Sequence, residues 1–186
     1  LVRRAYPYKF WDALPPKEGK TKWSYQVNNK HLMNFLSRSG FYRYETESSR
    51  DGYTYVQITG NIVTEIDPKK IRDYVNEFIE REFPDVELMN VFLKSNQLNE
   101  TSLSNLPYVK IDFTDFDRTN QWMFFNNITC QINAEGIHTF KPGTSDKFTW
   151  EDEVIKHKVK ILPDFFTVRT STNLQTKAEE RFIDIH

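Results

Sequence analysis

The chain predicts an α+β fold: a mostly antiparallel sheet or sheets with a central block of two to three packed helices. Three observations carry this. Aromatic segments of alternating polarity stand on both sides of a helical block. That block opens on a strong start signal, Asp67-Pro68. The strand pairs are joined by turns too short for the crossovers that a parallel sheet requires.

Residues 1–28 read as a basic, proline-containing arm or linker. Pro7, Pro15, Pro16 and Gly19 lie here, and DALPPKEGK is turn chemistry, because proline blocks regular hydrogen bonding and biases its predecessor away from helix. Six basic residues (Arg3, Arg4, Lys9, Lys17, Lys20, Lys22) stand against Asp12 and Glu18, a local excess of four. Such an excess suits a nucleic-acid arm and equally a solvated linker. Trp11 and Trp23 are expected to anchor the arm on the body, or to offer stacking platforms for bases.

A single α+β domain is expected over 29–170. Asn28 or Asn29 caps a short helix to about residue 39, with Leu32, Met33, Phe35 and Leu36 inward and Gly40 as its stop. FYRYE (41–45), YTYVQI (53–58) and IVTEI (62–66) read as a three-stranded meander. From Pro68, Ile71, Tyr74, Val75, Phe78 and Ile79 recur at helical spacing and form one apolar stripe. Asp85 caps the next helix, running to about Ser95 with Leu88, Met89, Phe92 and Leu93 inward, and Asn99 or Thr101 starts a third.

Strands then resume. Residues 108–113 alternate, WMFF (122–125) and ITCQI (128–132) flank an Asn126-Asn127 turn, and IHTF (137–140) follows Glu135-Gly136. Short strands are expected at 157–162 and 165–168, separated by Pro163. The tail, 171–186, reads as a short helix or a loose end. WMFF is apolar on both faces, with Trp122 and Phe124 on one and Met123 and Phe125 on the other. Both faces therefore call for cover, by helices, by the arm, or by another chain or domain, and an exposed aromatic pair would be a partner surface.

Composition narrows the function classes. The 186 residues are 38% hydrophobic, with 15 Phe and nine Tyr supplying large buried area. A formal net charge of −1 gives no global field for DNA or an anionic membrane. A single cysteine, Cys130, forms no intrachain disulfide and reads as a small buried hydrophobe in a reduced, cytoplasmic setting. No apolar run approaches the roughly 20 residues that cross a bilayer, LVRRAYPYKF lacks a signal-peptide core, and no membrane partner is expected. The chain opens on Leu1 rather than Met, as expected of a fragment of something longer.

The motifs of chemistry are sparse. No GxxxxGK[ST] loop or GxSxG elbow occurs. The histidines (His31, His138, His157, His186) lack metal-ligand spacing, so no cofactor or metal is expected. Asp115 and Asp117 in DFTDFD could share a strand face and hold a divalent metal, although Asp112 has the opposite parity. They are equally an acidic loop. Lys156, Lys158 and Lys160 in KHKVK could present one basic face to phosphates, or protect a sheet edge.

The order of these motifs resembles the segment preceding the superfamily 3 (poxvirus/phage-type) helicase motor in primase-helicases of phages and mobile elements. The likeness covers roughly residues 30–168. It is carried by GFYRYETESSRDGYTYVQITGNIVTEIDPKKIRDYVNEFI, by SNQLNETSLSNLPYVKIDF, and by the aromatic hairpin QWMFFNNITCQINAEGI. In that family the ATP site lies in the motor, C-terminal to this region, which assembles as a ring on DNA. The resemblance implies a noncatalytic accessory module of a phage-like replication protein, positioning single-stranded or duplex DNA, a C-terminal ATPase domain or other replication subunits. DNA contact would fall to Arg3, Arg4, Lys20 and Lys22 from the arm and to Lys156, Lys158 and Lys160 from the body. Two alternatives stand beside it. One is a protein-interaction or oligomerisation module using Trp11, Trp23, Trp122 and Phe124. The other is a metal-dependent nuclease or primase using Asp115 and Asp117.

Overall fold

A computed structural model describes residues 9–19, 21–47, 49, 51–94, 96–162, 166–172 and 179–185, the last two segments as backbone alone. The architecture is α+β. The first pair of strands, β1 (Trp11–Leu14) and β2 (Ser24–Val27), is antiparallel with Trp11 opposite Val27. Helix α1 (Asn29–Arg38) follows, its first turn capped by the Asn28 side chain, which accepts from the His31 N–H. Gly40 then turns the chain at φ 92°, where a Cβ would run into the Ile58 carbonyl, so glycine is required on two counts.

The meander forms as read: β3 (Phe41–Glu45), β4 (Tyr53–Thr59) and β5 (Ile62–Glu65) pair antiparallel. Asp67 caps α2 (Pro68–Glu82), and Asp85 accepts from the Glu87 and Leu88 N–H groups at the start of α3 (Val86–Lys94). A 3-10 turn (Asn96–Leu98) and α4 (Glu100–Leu103), capped by Asn99, close the helical block. The short β6 (Tyr108–Val109) returns beside β3. Three strands, β7 (Gln121–Phe124), β8 (Thr129–Asn133) and β9 (Gly136–Phe140), make a separate sheet. Next come β10 (Thr149–Trp150) and the final antiparallel pair, β11 (Phe166–Thr172) and β12 (Glu179–Ile185).

The larger sheet has the order β10-β5-β4-β3-β6; β10 and β6 join as short parallel edges of an antiparallel centre. Register assigns its faces, because directly opposed residues point the same way. Phe41 and Tyr55 face the helices and pack with Leu32, Phe35 and Leu36 of α1, Ile71, Val75 and Ile79 of α2, and Leu88 and Phe92 of α3. Burying each such side chain contributes about 1.5–3 kcal/mol. Arg43 closes the β6 edge: its Nε donates to the Leu106 carbonyl at 2.6 Å, and its guanidinium lies 4.0 Å from the Tyr108 ring and 5.1 Å from Tyr53. On the opposite face Val56 and Val63 are also fully buried, and Tyr44, Phe113 and Trp150 form an aromatic cluster with Phe113 stacked on Trp150 at 4.7 Å.

Several expectations are corrected. The domain does not begin at 29. Phe10 and Trp11 are buried in the helical core, and the Phe10 ring meets Trp11, Phe35, Phe78 and Phe92 at 4.8, 4.7, 6.0 and 5.6 Å. Much of the supposed arm is therefore core and hairpin. The described part of the tail is strand rather than helix: β12 pairs with β11 in register from Phe166↔Ile185 to Thr172↔Glu179. Residues 157–162 form no strand, and the alternation at 108–113 yields only Tyr108–Val109. Leu93, expected inward on α3, is exposed, while Leu88 and Phe92 alone reach full burial there.

Candidate interaction surface

The smaller sheet is built around a turn that the sequence hides. In DRTN, the Asp117 carboxylate accepts from the Thr119 and Asn120 N–H groups, both at 2.8 Å, and from the Thr119 hydroxyl and Asn120 amide, both at 3.0 Å. These donors stabilise the charged form and hold the carboxyl pKa down to about 2. The turn folds residues 115–117 back against β7: Phe116 bridges Gln121, and the Trp122 N–H donates to the Asp115 carbonyl at 2.7 Å. Phe116 thereby joins a row running Phe116–Gln121–Ile132–Ile137 across the sheet. Met123, Cys130 and Thr139 form the next row on that face.

The two faces of β7–β9 differ. Trp122 and Phe124 are buried, with the Trp122 ring 5.4 Å from Phe140. On the other face Phe116 is 60% exposed, Ile137 47% and Met123 36%. Cover over that face by the described residues is thus incomplete, so of the covers expected for WMFF the helices and the described part of the arm do not supply it. The face closes only near Cys130, whose burial raises the thiol pKa. An apolar row interrupted by Gln121 and flanked by Thr139 has the character of a docking surface.

The Asn126-Asn127 turn has its own role. Asn126 donates its backbone N–H to the Ile155 carbonyl, and Ile155 donates to the Phe124 carbonyl. The Asn127 side chain then imitates a strand: its Nδ2 donates to the Val159 carbonyl at 2.8 Å and its Oδ1 accepts the Val159 N–H at 2.9 Å. This clamp ties Val159 to the turn, with Lys156, Lys158 and Lys160 exposed around half-buried Val159.

The remaining sequence candidates are scattered. Arg3, Arg4 and Lys20 lie outside the described residues. Lys22 reaches Glu87 at 3.1 Å, an exposed pair of little energetic weight. Trp11 is core, so it offers no surface; Trp23 is 54% exposed and far in sequence from the open sheet face. Asp115 and Asp117 have different surroundings. Asp117 is committed to its turn, while Asp115 lines a cleft of about 430 Å³ with Trp122, Phe124, Trp150 and Glu153. Among the described residues no group of three His, Cys, Asp or Glu side chains is placed to hold a metal ion, and no helix is long and apolar enough to cross a membrane. Phe116 and Ile137 are the surface residues missed in the sequence. The signal available for Phe116 was Asp117 followed three positions later by Asn120, a side-chain-capped turn.

No family model, curated protein or solved structure matches this chain.

Proposed function

We propose that this chain is a noncatalytic accessory module that docks a protein partner on the open face of the β7–β9 sheet. The observation that supports this is the exposed apolar row containing Phe116 and Ile137, with Met123 beside it, on a sheet whose other face buries Trp122, Phe124 and Thr129. A photo-crosslinking residue at Phe116 or Ile137, in cells carrying the whole reading frame, is expected to give one discrete protein adduct. The same residue at Glu80, on the exposed side of α2, serves as the control. Adducts no different from those of the Glu80 control would refute docking at this face.

The second reading, contact with DNA inside a phage-like replication protein, draws on the sequence resemblance and on the clamped segment that displays Lys156, Lys158 and Lys160. These lysines would neutralise phosphates without reading bases. Replacing each with Ala should lower the salt dependence of DNA binding by roughly one unit of slope. Absence of salt-sensitive binding to both single-stranded and duplex DNA would remove this reading.

A further inference from the structure

β9 is the outer strand of its sheet, with β8 on one side and no strand of the described residues on the other. Its middle residues, Ile137, His138 and Thr139, are exposed. The strand holds no Lys or Pro, the residues that usually keep such an edge from pairing.

The ladder fixes which backbone groups face outward. A two-residue loop, Ala134-Glu135, makes Asn133 and Gly136 the closing hydrogen-bonded pair. Pairs then alternate along an antiparallel ladder. His138 and Phe140 bond toward β8, whereas the N–H and C=O groups of Ile137 and Thr139 point away from it. A second strand must meet those outward groups.

We infer that the occupant of this edge is a second copy of the chain, pairing β9 with β9 antiparallel about a two-fold axis at His138. That register sets Ile137 opposite Thr139 of the second copy, which joins the outward groups in both directions. It sets Gly136 opposite Phe140 of the second copy. A Cβ built on Gly136 meets nothing within 4 Å, so open space is available there for the ring, while its φ of 134° explains why glycine stands at that position. It also sets Glu135 opposite Lys141 of the second copy, twice by symmetry. Both side chains are exposed, and no salt bridge among the described residues engages either. Registers centred on Ile137 or Thr139 also satisfy the backbone but leave these charges unmatched. The contact is isologous, so it closes at two copies rather than growing into a fibre.

The paired copies would form one continuous sheet, with the two open apolar faces side by side. This inference is separable from the docking reading, because Glu135 and Lys141 lie off the apolar row.

Sedimentation of the full chain at low salt tests it. The weight-average mass of the wild type should rise from 22.2 kDa toward twice that value as concentration approaches about 1 mM. Glu135→Lys and Lys141→Glu should each move the midpoint roughly tenfold higher, since like charges then oppose each other at both ends. An equimolar mixture of the two variants should associate again, because one carries two lysines at these positions and the other two glutamates. A wild type of constant mass would overturn the pairing. So would single variants that associate like the wild type, or a mixture no better than either variant alone. If Phe116→Ser abolishes association while the charge variants keep it, self-association runs through the apolar face, which retains the docking surface and rejects the β9 edge.

Discussion

Two sheets in one chain handle the same sequence pattern differently. In β3–β5 the alternating aromatic and branched residues end up covered on both faces: Phe41 and Tyr55 lie against the helices, and Val56 and Val63 are buried on the reverse. In β7–β9 the pattern is as apolar, yet cover is uneven: Trp122, Phe124, Thr129 and Cys130 are buried, while Phe116, Met123 and Ile137 remain open. The difference lies in what the chain supplies nearby. Helices α1 to α3 arrive beside the first sheet with matched apolar stripes. Among the described residues, the second sheet is met by the 155–159 segment and by the aromatic residues at its junction with β10. A buried face stabilises; a comparable face left exposed is available for recognition.

Stability measurements should separate the two sheets. The largest loss is expected from Ile79→Ala or Ile71→Ala, at about 2–5 kcal/mol in urea unfolding, because each leaves a cavity among fully buried neighbours. A loss below about 1 kcal/mol would show that the helical layer is not the main source of cohesion. Gly40→Ala comes next, at least about 1 kcal/mol, from an unfavourable φ and a collision with the Ile58 carbonyl. Asn127→Ala removes both clamp bonds and should cost about 1–3 kcal/mol. It should also speed hydrogen exchange at the Val159 amide; unchanged exchange would mean that the clamp does not hold the lysine segment.

The Asp117 turn gives a pH test. A carboxyl held down at about 2 contributes stability that is complete above its unfolded value, roughly 3.9, and that is lost as pH falls toward 2. Asp117→Asn should flatten the dependence of stability on pH in that window. An NMR titration placing the Asp117 carboxyl near 3.9 would dissolve the explanation for how Phe116 is presented. The smallest stability change is expected at the open face itself: Met123→Ser or Ile137→Ser should stay within about 0.5 kcal/mol. A much larger loss would show that this face is closed in solution.

Local signals were legible in the sequence; distant partners were not. Asp67-Pro68 and the stripe Ile71–Val75–Ile79 specify α2 from neighbouring residues alone, and Asn28, Asp85 and Asn99 cap as their side chains demand. Phe10 was missed because its four ring partners are supplied by Trp11, α1, α2 and α3, and nothing in PYKFW announces them. β12 was missed because TKAEER favours helix locally, whereas its register with Phe166–Thr172 makes it a strand. The hairpin at Asn126-Asn127 was legible as a turn, but the reach of Asn127 to Val159 depends on how the chain returns 32 residues later. For the site, Trp122 and Phe124 stood out as conspicuous aromatics and are interior; Phe116 and Ile137 looked ordinary and are the exposed ones.

The placement of Phe10 bears on how this protein can be shortened. Three helices lean on one ring from a segment that looks dispensable by composition. A version cut at residue 28 would keep every helix and lose the side chain they share, so aggregation is its expected fate, whereas trimming that spares Phe10 should leave a soluble fold.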